Sequence, residues 1–350
     1  MIHPRDALLG VRRAGGRLPV CDHYSGVEAR MVKSLQLQTE MSEEFGVSVF
    51  DVTLDCEDGA PVGGERDHAQ MVSELVARSL LPSGATLGHA QCRVGVRVHP
   101  VDHSAFGADL ETIVGRSGNW LSYVMVPKVD TLADVQRAVD AIDAVSPTLS
   151  RGPLPIHVLI ESPLAVFHAV DIAAHPRVES MSFGLMDYVS SHGGAIPSSA
   201  MTGAGSAGDG GFNQFTHPMV VRAKLEVAAA CHVHAKVASH CVVTEFKALE
   251  ALEAQARLAA DGFGYTRMWS IHPAQIRPIV RAFAPRQQDV DMAIRVIPQA
   301  QQNDWAPIAI EGALHDRASY RYFWSVLERA AQTGMGLPVE IQKYFSASVH

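Results

Sequence analysis

The feature of this sequence that most limits its fold is a series of eight apolar, β-rich runs, each ending in a residue with a reactive side chain. The stretches between the runs are long enough for one helix each, which is the spacing of parallel strands joined by crossover helices. This pattern predicts a (β/α)₈ TIM barrel with an apolar interior, in which every strand's carboxyl end opens on the same face. The predicted strands centre near Pro19–Asp22, Val49–Asp55, Cys92–Val98, Tyr123–Pro127, Ile156–Ile160, Met181–Phe183, Lys236–His240 and Arg267–Ile271.

The spacing of apolar residues predicts several crossover helices, namely Val27–Met41, Thr131–Ile142 and Pro218–Cys231. We assign residues 1–285 to the barrel and residues 286–350 to a C-terminal helical extension that serves as a lid. The extension is predicted to contain helices at Gln287–Ala300 and Ala318–Thr333, separated by Gln301–Asp316.

One segment, Ser191–Asn213, interrupts this rhythm because it contains seven glycines. Long glycine-rich loops in compact domains are often mobile lids, whereas a disordered surface insertion is the alternative. The segment contains no phosphate-binding glycine motif.

Composition excludes several classes of function. The formal net charge of −8 argues against a nucleic-acid or anionic-membrane partner, because either would require a basic surface. The five cysteines include no CxxC spacing, which disfavours a disulfide framework or a structural zinc site. The chain has no apolar run long enough to span a bilayer, and residues 1–19 lack the apolar core of a signal peptide, so we expect a cytoplasmic protein.

Two strand ends together predict half of a metal site. Glu161 follows the fifth run and Asp187 follows the sixth, and neighbouring strands lie about 4.8 Å apart, so the two carboxylates could share one cation. Two oxygen ligands, with water and substrate completing the shell, is how proteins commonly hold Mg²⁺. Taken alone, Glu161 could equally cap the next helix.

Further charged residues follow the second, third and fourth runs. Asp55, Glu57 and Asp58 would repel one another unless a cation or hydrogen-bond donors balanced them, so we expect one or more to orient water on the metal. Arg97 suits bidentate binding of a carboxylate or a developing enolate oxygen, and we assign it as the substrate anchor. Lys128 could form a Schiff base in a metal-free aldolase or pair with a nearby acid, and the acid-rich site favours the ion pair.

The seventeen histidines include a group, His217, His232, His234 and His240, that resembles a zinc-ligand cluster. Residues two apart do not share a helix face, so scattered surface or core histidines are the better interpretation. His272, at the end of the eighth run, is expected to line the pocket.

Taken in order, these segments resemble the HpcH/HpaI aldolase superfamily, which includes the citrate lyase beta subunit and malyl-CoA lyase. The likeness covers roughly residues 20–325, and its specificity comes from the order of several short motifs. The matching segments are Leu54–Gly59, Arg97–Pro100, Val126–Val129, Leu159–Ser162, Phe183–Asp187 and Ile271–Ile276.

The resemblance implies that Glu161 and Asp187 hold Mg²⁺, with Mn²⁺ as the alternative ion, and that Arg97 binds the carboxylate or carbonyl of the substrate. It implies that Gly312–Asp316 belongs to a C-terminal lid whose Asp316 acts as general acid/base in the pocket of a neighbouring subunit. A homotrimer or homohexamer with exchanged lids is therefore expected. Without the resemblance, Asp316 would be predicted simply to cap the following helix. The substrate-binding set is Arg97, Glu57, Asp58, Tyr24, Lys33 and His272.

The function implied is a Mg²⁺-dependent carbon–carbon lyase that cleaves a 3-hydroxyacyl thioester, such as malyl-, citramalyl- or citryl-CoA, into an oxo acid and an acyl thioester. One alternative is a class II aldolase acting on a free 4-hydroxy-2-oxo acid. Another is a non-catalytic protein that binds an oxo acid or CoA; the retention of a metal pair, an anchor and an acid disfavours it.

Overall fold

Eight strands close into a parallel barrel in which β8 pairs with β1, so the predicted (β/α)₈ fold is confirmed. The computed structural model describes residues 2–10, 18–60, 62–80, 92–146, 152–203 and 210–345. Each predicted run contains a strand, although β1 begins and ends later than expected and β6 begins earlier. The strands are β1 (Cys21–Ser25), β2 (Phe50–Asp55), β3 (Val94–Arg97), β4 (Tyr123–Val126), β5 (Ile156–Ile160), β6 (Val178–Phe183), β7 (Val237–His240) and β8 (Arg267–Ser270).

Helices follow the strands and cover the barrel. Thr131 caps α6 through a reciprocal pair of hydrogen bonds with Asp134, and Pro218 opens α10, as the sequence predicts. No described helix is long and apolar enough to cross a membrane. The helices are α1 (Pro4–Leu9), α2 (Glu28–Phe45), α3 (Glu65–Leu80), α4 (Phe106–Asp109), α5 (Gly115–Ser117), α6 (Leu132–Val145), α7 (Pro163–Phe167), α8 (Ala169–Ala174), α9 (Leu185–Ser190), α10 (Pro218–Val233), α11 (Leu249–Phe263), α12 (Ile276–Phe283), α13 (Gln287–Gln302), α14 (Arg317–Gln332) and α15 (Val339–Gln342).

A small antiparallel hairpin separates α13 from α14, where the sequence predicts only a connection. Its strands are β9 (Ile308–Ile310) and β10 (Ala313–His315). The turn residues Glu311 and Gly312 have φ values of 51° and 81°, and two successive positive φ angles are typical of the tight turns that join such strands.

The apolar residues form two main clusters. The larger lies between the barrel strands and the surrounding helices. The second joins α13, α14 and α15 around Tyr320 and Trp324, and it includes Leu8 of α1. The N-terminal helix thus packs with the C-terminal helices, whereas the sequence assigns it to the barrel. The proposed division at residue 285 stays a prediction.

The barrel interior is polar, contrary to the apolar interior that the sequence suggests. Tyr123 of β4 donates a hydrogen bond to Asp22 of β1 at 3.2 Å, and Arg267 of β8 donates to Asp51 of β2 at 2.8 Å. These bonds join strands that are not neighbours, so the side chains meet inside the barrel. Alternate residues of short parallel strands face inward, and here most of those positions carry charged, hydroxyl or aromatic groups, together with the apolar Met125 and Leu159.

The glycine-rich segment is packed where the structure describes it. Ile196 and Ala200 are buried in the main core, and the amide of Gln214 donates to the Thr202 carbonyl at 3.0 Å. These contacts contradict a disordered insertion for residues 191–203. Residues 204–209, with Gly205 and Gly208, lie outside the described residues, and a lid function stays a prediction.

Substituting Asp22 by asparagine should change how stability depends on pH. Burial raises the pKa of Asp22 from 3.8 to about 6, while Arg267 opposes this rise and Asp51 adds to it. A carboxyl group with a raised folded-state pKa loses stability as pH rises through the interval between its unfolded and folded values. Between about pH 4 and about pH 7, calorimetry should show the unfolding free energy shifting by up to about 3 kcal/mol in favour of Asp22→Asn. A pH-independent difference would contradict the raised pKa.

Candidate active site

A cavity of about 910 Å³ opens at the carboxyl ends of the barrel strands. Parallel strands of a closed barrel bring their carboxyl ends to one face, so residues distant in sequence meet there. Seven of the predicted site residues line this cavity, while Glu57 and Asp316 do not. The seven are Tyr24, Lys33, Asp58, Arg97, Glu161, Asp187 and His272.

Glu161 and Asp187 form the acidic part of the cavity. Glu161 follows β5 and is buried, and its Oε2 accepts a hydrogen bond from the Lys128 amide at 2.8 Å. Asp187 lies in the first turn of α9 and is half-buried. Burial, and then the negative charge of Asp187, raise the pKa of Glu161 to about 8. A buried acid whose ionised form is further disfavoured by a neighbouring acid would be stabilised by a cation beside both.

The donor chemistry of this pair fits Mg²⁺. Carboxylate oxygens are preferred ligands of this ion, which commonly uses one or two protein carboxylates and keeps water or substrate at its other positions. Among the residues that the structure describes, no group of three or more His, Cys, Asp or Glu side chains is arranged to hold a metal. Glu161 and Asp187 therefore remain the predicted ligands.

Lys128 connects the acid pair to the neighbouring strand ends. Its backbone has a φ of 52°, a conformation that costs a non-glycine residue free energy and is often found at functional sites. Its ammonium group forms an ion pair with Glu57 and lies 3.4 Å from Asp58. Burial lowers the pKa of Lys128, but the hydrogen bond and charge of Glu57 outweigh it and hold this pKa above the ordinary value. A Schiff-base lysine needs a neutral amine, so the ion-pair interpretation fits the structure better.

Arg97 is fixed by two buried carboxylates. Its Nε and Nη2 donate to Asp55 at 2.7 and 2.5 Å, and its Nη1 lies 2.9 Å from Glu57. The same Asp55 accepts the amides of Glu57 and Gly59, which shapes the turn after β2. Asp55 thus orients the guanidinium group. The sequence predicts only that one or more of Asp55, Glu57 and Asp58 orient water on the metal, and this role of Asp55 was not predicted. The signal was present, because Asp55 and Arg97 end adjacent strands and are direct partners in the β2–β3 register.

The other acids of this group occupy different environments. Both Glu57 oxygens are engaged by Lys128, Arg97 and the Asp58 amide, so Glu57, which does not itself line the cavity, positions two cations. Asp58 is exposed at the cavity's edge. Direct contact of either residue with substrate stays a prediction.

Aromatic rings form one wall of the cavity, and cations lie at its rim. The ring of Tyr24 lies 4.4 Å from that of Trp269 and 5.2 Å from the Arg97 guanidinium carbon. At the rim, His272 stacks on Phe246 with ring centroids 4.9 Å apart. The exposed cations at the rim are Arg30 and Lys33 of α2.

Asp316 lies outside the cavity of its own chain. It is exposed and caps α14, where Oδ1 accepts the amides of Ala318 and Ser319 at 2.9 and 3.3 Å. Later in the same helix, Arg329 donates to the carbonyl of Thr266, which precedes β8 at the opposite end of the barrel. Asp316 does not line the cavity of its own chain, and its proposed role in the cavity of a neighbouring subunit stays a prediction.

The sequence profile of the HpcH/HpaI aldolase/citrate lyase family matches residues 34–273, which is more than half of the chain. The chain belongs to this family. This confirms the resemblance carried by the motifs and places the protein among the carbon–carbon lyases.

Several proteins of known structure or activity are similar to the chain over most of its length. A citrate lyase from Burkholderia xenovorans LB400, known from its crystal structure, is 42% identical, with a TM-score of 0.76 and 99% of each chain covered. An L-malyl-CoA/beta-methylmalyl-CoA lyase from Cereibacter sphaeroides is 27% identical over 305 residues, which cover 82% of this chain and 90% of that protein. Protein CitE from Mycobacterium tuberculosis, solved with magnesium, acetoacetate and coenzyme A, is 19% identical, with a TM-score of 0.62. The alignment covers 91% of this chain and 99% of CitE. At this identity the likeness shows the fold alone.

Substituting Gly184 by alanine should displace Glu161 and weaken metal binding. An added Cβ would lie 2.4 Å from Cγ and 2.6 Å from Oε1 of Glu161, well inside van der Waals contact. We expect Mg²⁺ affinity, measured by isothermal titration calorimetry, to fall at least about tenfold, as it does when support for a ligand is lost. Gly107→Ala is the matched control, because a Cβ there meets nothing within 4 Å. Unchanged affinity in Gly184→Ala would argue against Glu161 as a ligand.

Proposed function

We propose that this member of the HpcH/HpaI family is a Mg²⁺-dependent lyase that cleaves a 3-hydroxyacyl-CoA ester, such as malyl-, citramalyl- or citryl-CoA, into an oxo acid and an acyl-CoA. The observation that supports it most directly is the acid pair of buried Glu161 and half-buried Asp187, in the same cavity as the clamped guanidinium of Arg97. A Lewis-acid site beside a fixed anion-binding group is the combination that polarises and orients a 2-oxo acid.

Glu161 and Asp187 would hold the metal, with Mn²⁺ as an alternative ion. When bound, the ion supplies Lewis-acid polarisation of the oxo-acid half. Magnesium in the structure of CitE, a relative with the same fold, supports this choice of ion.

Arg97 would bind the carboxylate or the oxygen on which negative charge develops. Asp55 and Glu57 hold the guanidinium in one orientation, so little reorganisation is needed when charge builds up nearby. Tyr24 packs against the guanidinium and limits its movement. The enolate formed by cleavage must then be protonated, and we propose Asp316 of a neighbouring subunit as the acid.

The dimensions and charge of the cavity favour a thioester over a free small acid. Its volume of about 910 Å³ is near the upper end of the range for ligand pockets and exceeds what a short oxo acid fills. Arg30 and Lys33 at the rim would meet the phosphates of CoA. The similarity to an L-malyl-CoA/beta-methylmalyl-CoA lyase supports the same substrate class. We retain a cytoplasmic location and a homotrimer or homohexamer as parts of this proposal.

The proposal is tested by incubating the purified protein with malyl-CoA, citramalyl-CoA and a free 4-hydroxy-2-oxo acid. We expect glyoxylate or pyruvate from a CoA ester without release of free thiol, complete loss of turnover in EDTA, and recovery with Mg²⁺. Glu161→Gln should lower kcat at least about a hundredfold, because it removes a ligand charge needed in the transition state. Turnover of only the free acid would favour the aldolase, and tight binding without turnover of any substrate would favour a binding protein. Activity unchanged in Glu161→Gln would refute the assignment.

The proposed contribution of Asp316 from a neighbouring subunit can be tested by mixing inactive chains. Glu161→Gln and Asp316→Asn should each be inactive alone, since each lacks one group. Co-expressed at equal levels, they should regain about one quarter of the wild-type activity, because a quarter of the shared sites combine both intact groups. Co-expression of Glu161→Gln with Asp187→Asn is the control and should stay inactive, because both groups come from one chain. No recovery in the first mixture would mean that Asp316 does not act across subunits.

A further inference from the structure

A second cavity of about 540 Å³ lies at the opposite end of the barrel from the active-site cavity. Its walls come from the amino-terminal ends of β6, β7 and β8 and from the face of α14 that packs beneath them. We call it the basal cavity and define it by Glu179, His234, Lys236, Thr266, Ser325 and Arg329, all of which line it.

Two cations of the basal cavity have only neutral partners. Lys236 donates its ammonium to the carbonyl of His175 at 3.2 Å, and Arg329 donates Nη1 to the carbonyl of Thr266 at 3.2 Å. Across the described ranges, neither side chain forms an ion pair with a carboxylate. A charged group that gives up water without gaining an opposite charge pays a desolvation penalty, which an anionic ligand would offset.

The other charged residues of the lining have interactions of their own. Glu179 forms an ion pair with Arg93, in which Oε1 of Glu179 lies 2.6 Å from Nη2 of Arg93. Arg5 and Glu328, which also line the cavity, carry opposite charges, and each has an interaction of its own. Among the described lining residues, Lys236 and Arg329 are therefore the two cations that we consider available to a ligand.

The protonation behaviour of the two cations agrees with this geometry. Burial lowers the pKa of Arg329 to about 10, and Glu328 opposes this only in part. Burial also lowers the pKa of Lys236, against the charges of Cys231 and Glu179. Both shifts have burial as their largest cause, as expected for cations that donate only to neutral carbonyl groups.

A third polar group points to a ligand. Nε2 of His234 is buried and has no hydrogen-bond partner in the part of the chain that the structure describes. Buried polar atoms in folded proteins are almost always hydrogen-bonded to protein or to ordered water. A small oxyanion, or water bound with it, would supply the missing partner.

We infer that the basal cavity is a binding site for a small oxyanion, a phosphate or a carboxylate, held between Lys236 and Arg329. Arg329 presents several donors in a planar fork that matches such anions, and Lys236 adds a compact positive charge. The site lies on the other side of the barrel interior from Arg97, and its occupation does not depend on the reaction proposed for the active-site cavity.

Anion binding to the full-length protein can be measured with inorganic phosphate and malonate by isothermal titration calorimetry, each against sodium chloride of equal ionic strength. The active-site cavity also has a cation, Arg97, so the variants must separate two sites. We expect Lys236→Gln and Arg329→Gln each to weaken one binding event at least about tenfold, as expected when a charge-assisted contact is lost. Arg97→Gln should leave this event intact. Arg321→Gln, an exposed arginine of the same helix, is the matched control.

Arg329→Lys keeps the positive charge and tests the site if Arg329→Gln fails to fold; it should retain part of the affinity. A crystal soaked in selenate should show anomalous density between Lys236 and Arg329. Stronger binding of phosphate than of malonate, or the reverse, identifies which oxyanion class the cavity takes. The inference is overturned if neither probe binds more tightly than chloride, or if binding survives both Lys236→Gln and Arg329→Gln and is lost only in Arg97→Gln.

Discussion

The buried charge of Arg267 is the interaction on which the barrel most depends. This residue of β8 is almost completely inaccessible, and its guanidinium lies between Asp51 of β2, at 2.8 Å, and Asp22 of β1, at 3.3 Å. Removing one partner of a buried ion pair typically costs about 3–5 kcal/mol, because the other charge is left without compensation. The ion pairs also define the register, since shifting any of the three strands by one residue would turn its charged side chain away from the interior.

Charged side chains also pair at the active-site cavity, which lies nearer the carboxyl ends of the strands than Arg267 does. Asp55 and Arg97 end neighbouring strands and neutralise each other, and Glu57 joins Arg97 to Lys128. In this alternation of charges, the acids between β2 and β4 are already paired. Glu161 and Asp187 place two further acids on one side of the cavity, where burial, and then the charge of Asp187, raise the pKa of Glu161. One side of the cavity therefore has paired charges that orient Arg97. The other side has the two acids, Glu161 and Asp187, that we propose attract a cation.

Much of this arrangement could be predicted from sequence, because it follows from topology. Once eight parallel strands are recognised, their carboxyl ends are expected at one face of the barrel. The residues that follow each strand in the sequence are then the candidate site residues. The polar interior could not be read in this way, since short strands buried on both faces show no clear alternation. The hairpin at Glu311-Gly312 had a local turn signal that the surrounding helices obscured.

Other features depend on contacts between distant segments. The clamp on Arg97 requires the register of β2 against β3, and the positive φ of Lys128 has no sequence signal in a lysine. The basal cavity exists only because α14 packs beneath the barrel, and helix spacing does not predict where a helix will pack. For the same reason the sequence assigned α1 to the barrel, although it packs against α14.

The missing side chain at Gly184 also limits how this sequence can diverge. The space that a Cβ would need is taken by Glu161, so the two positions cannot vary independently. A descendant with a larger residue at 184 would have to turn the acid at 161 into another rotamer, or move the strand that carries it. Evolutionary change at this turn is thereby tied to the placement of one acidic side chain.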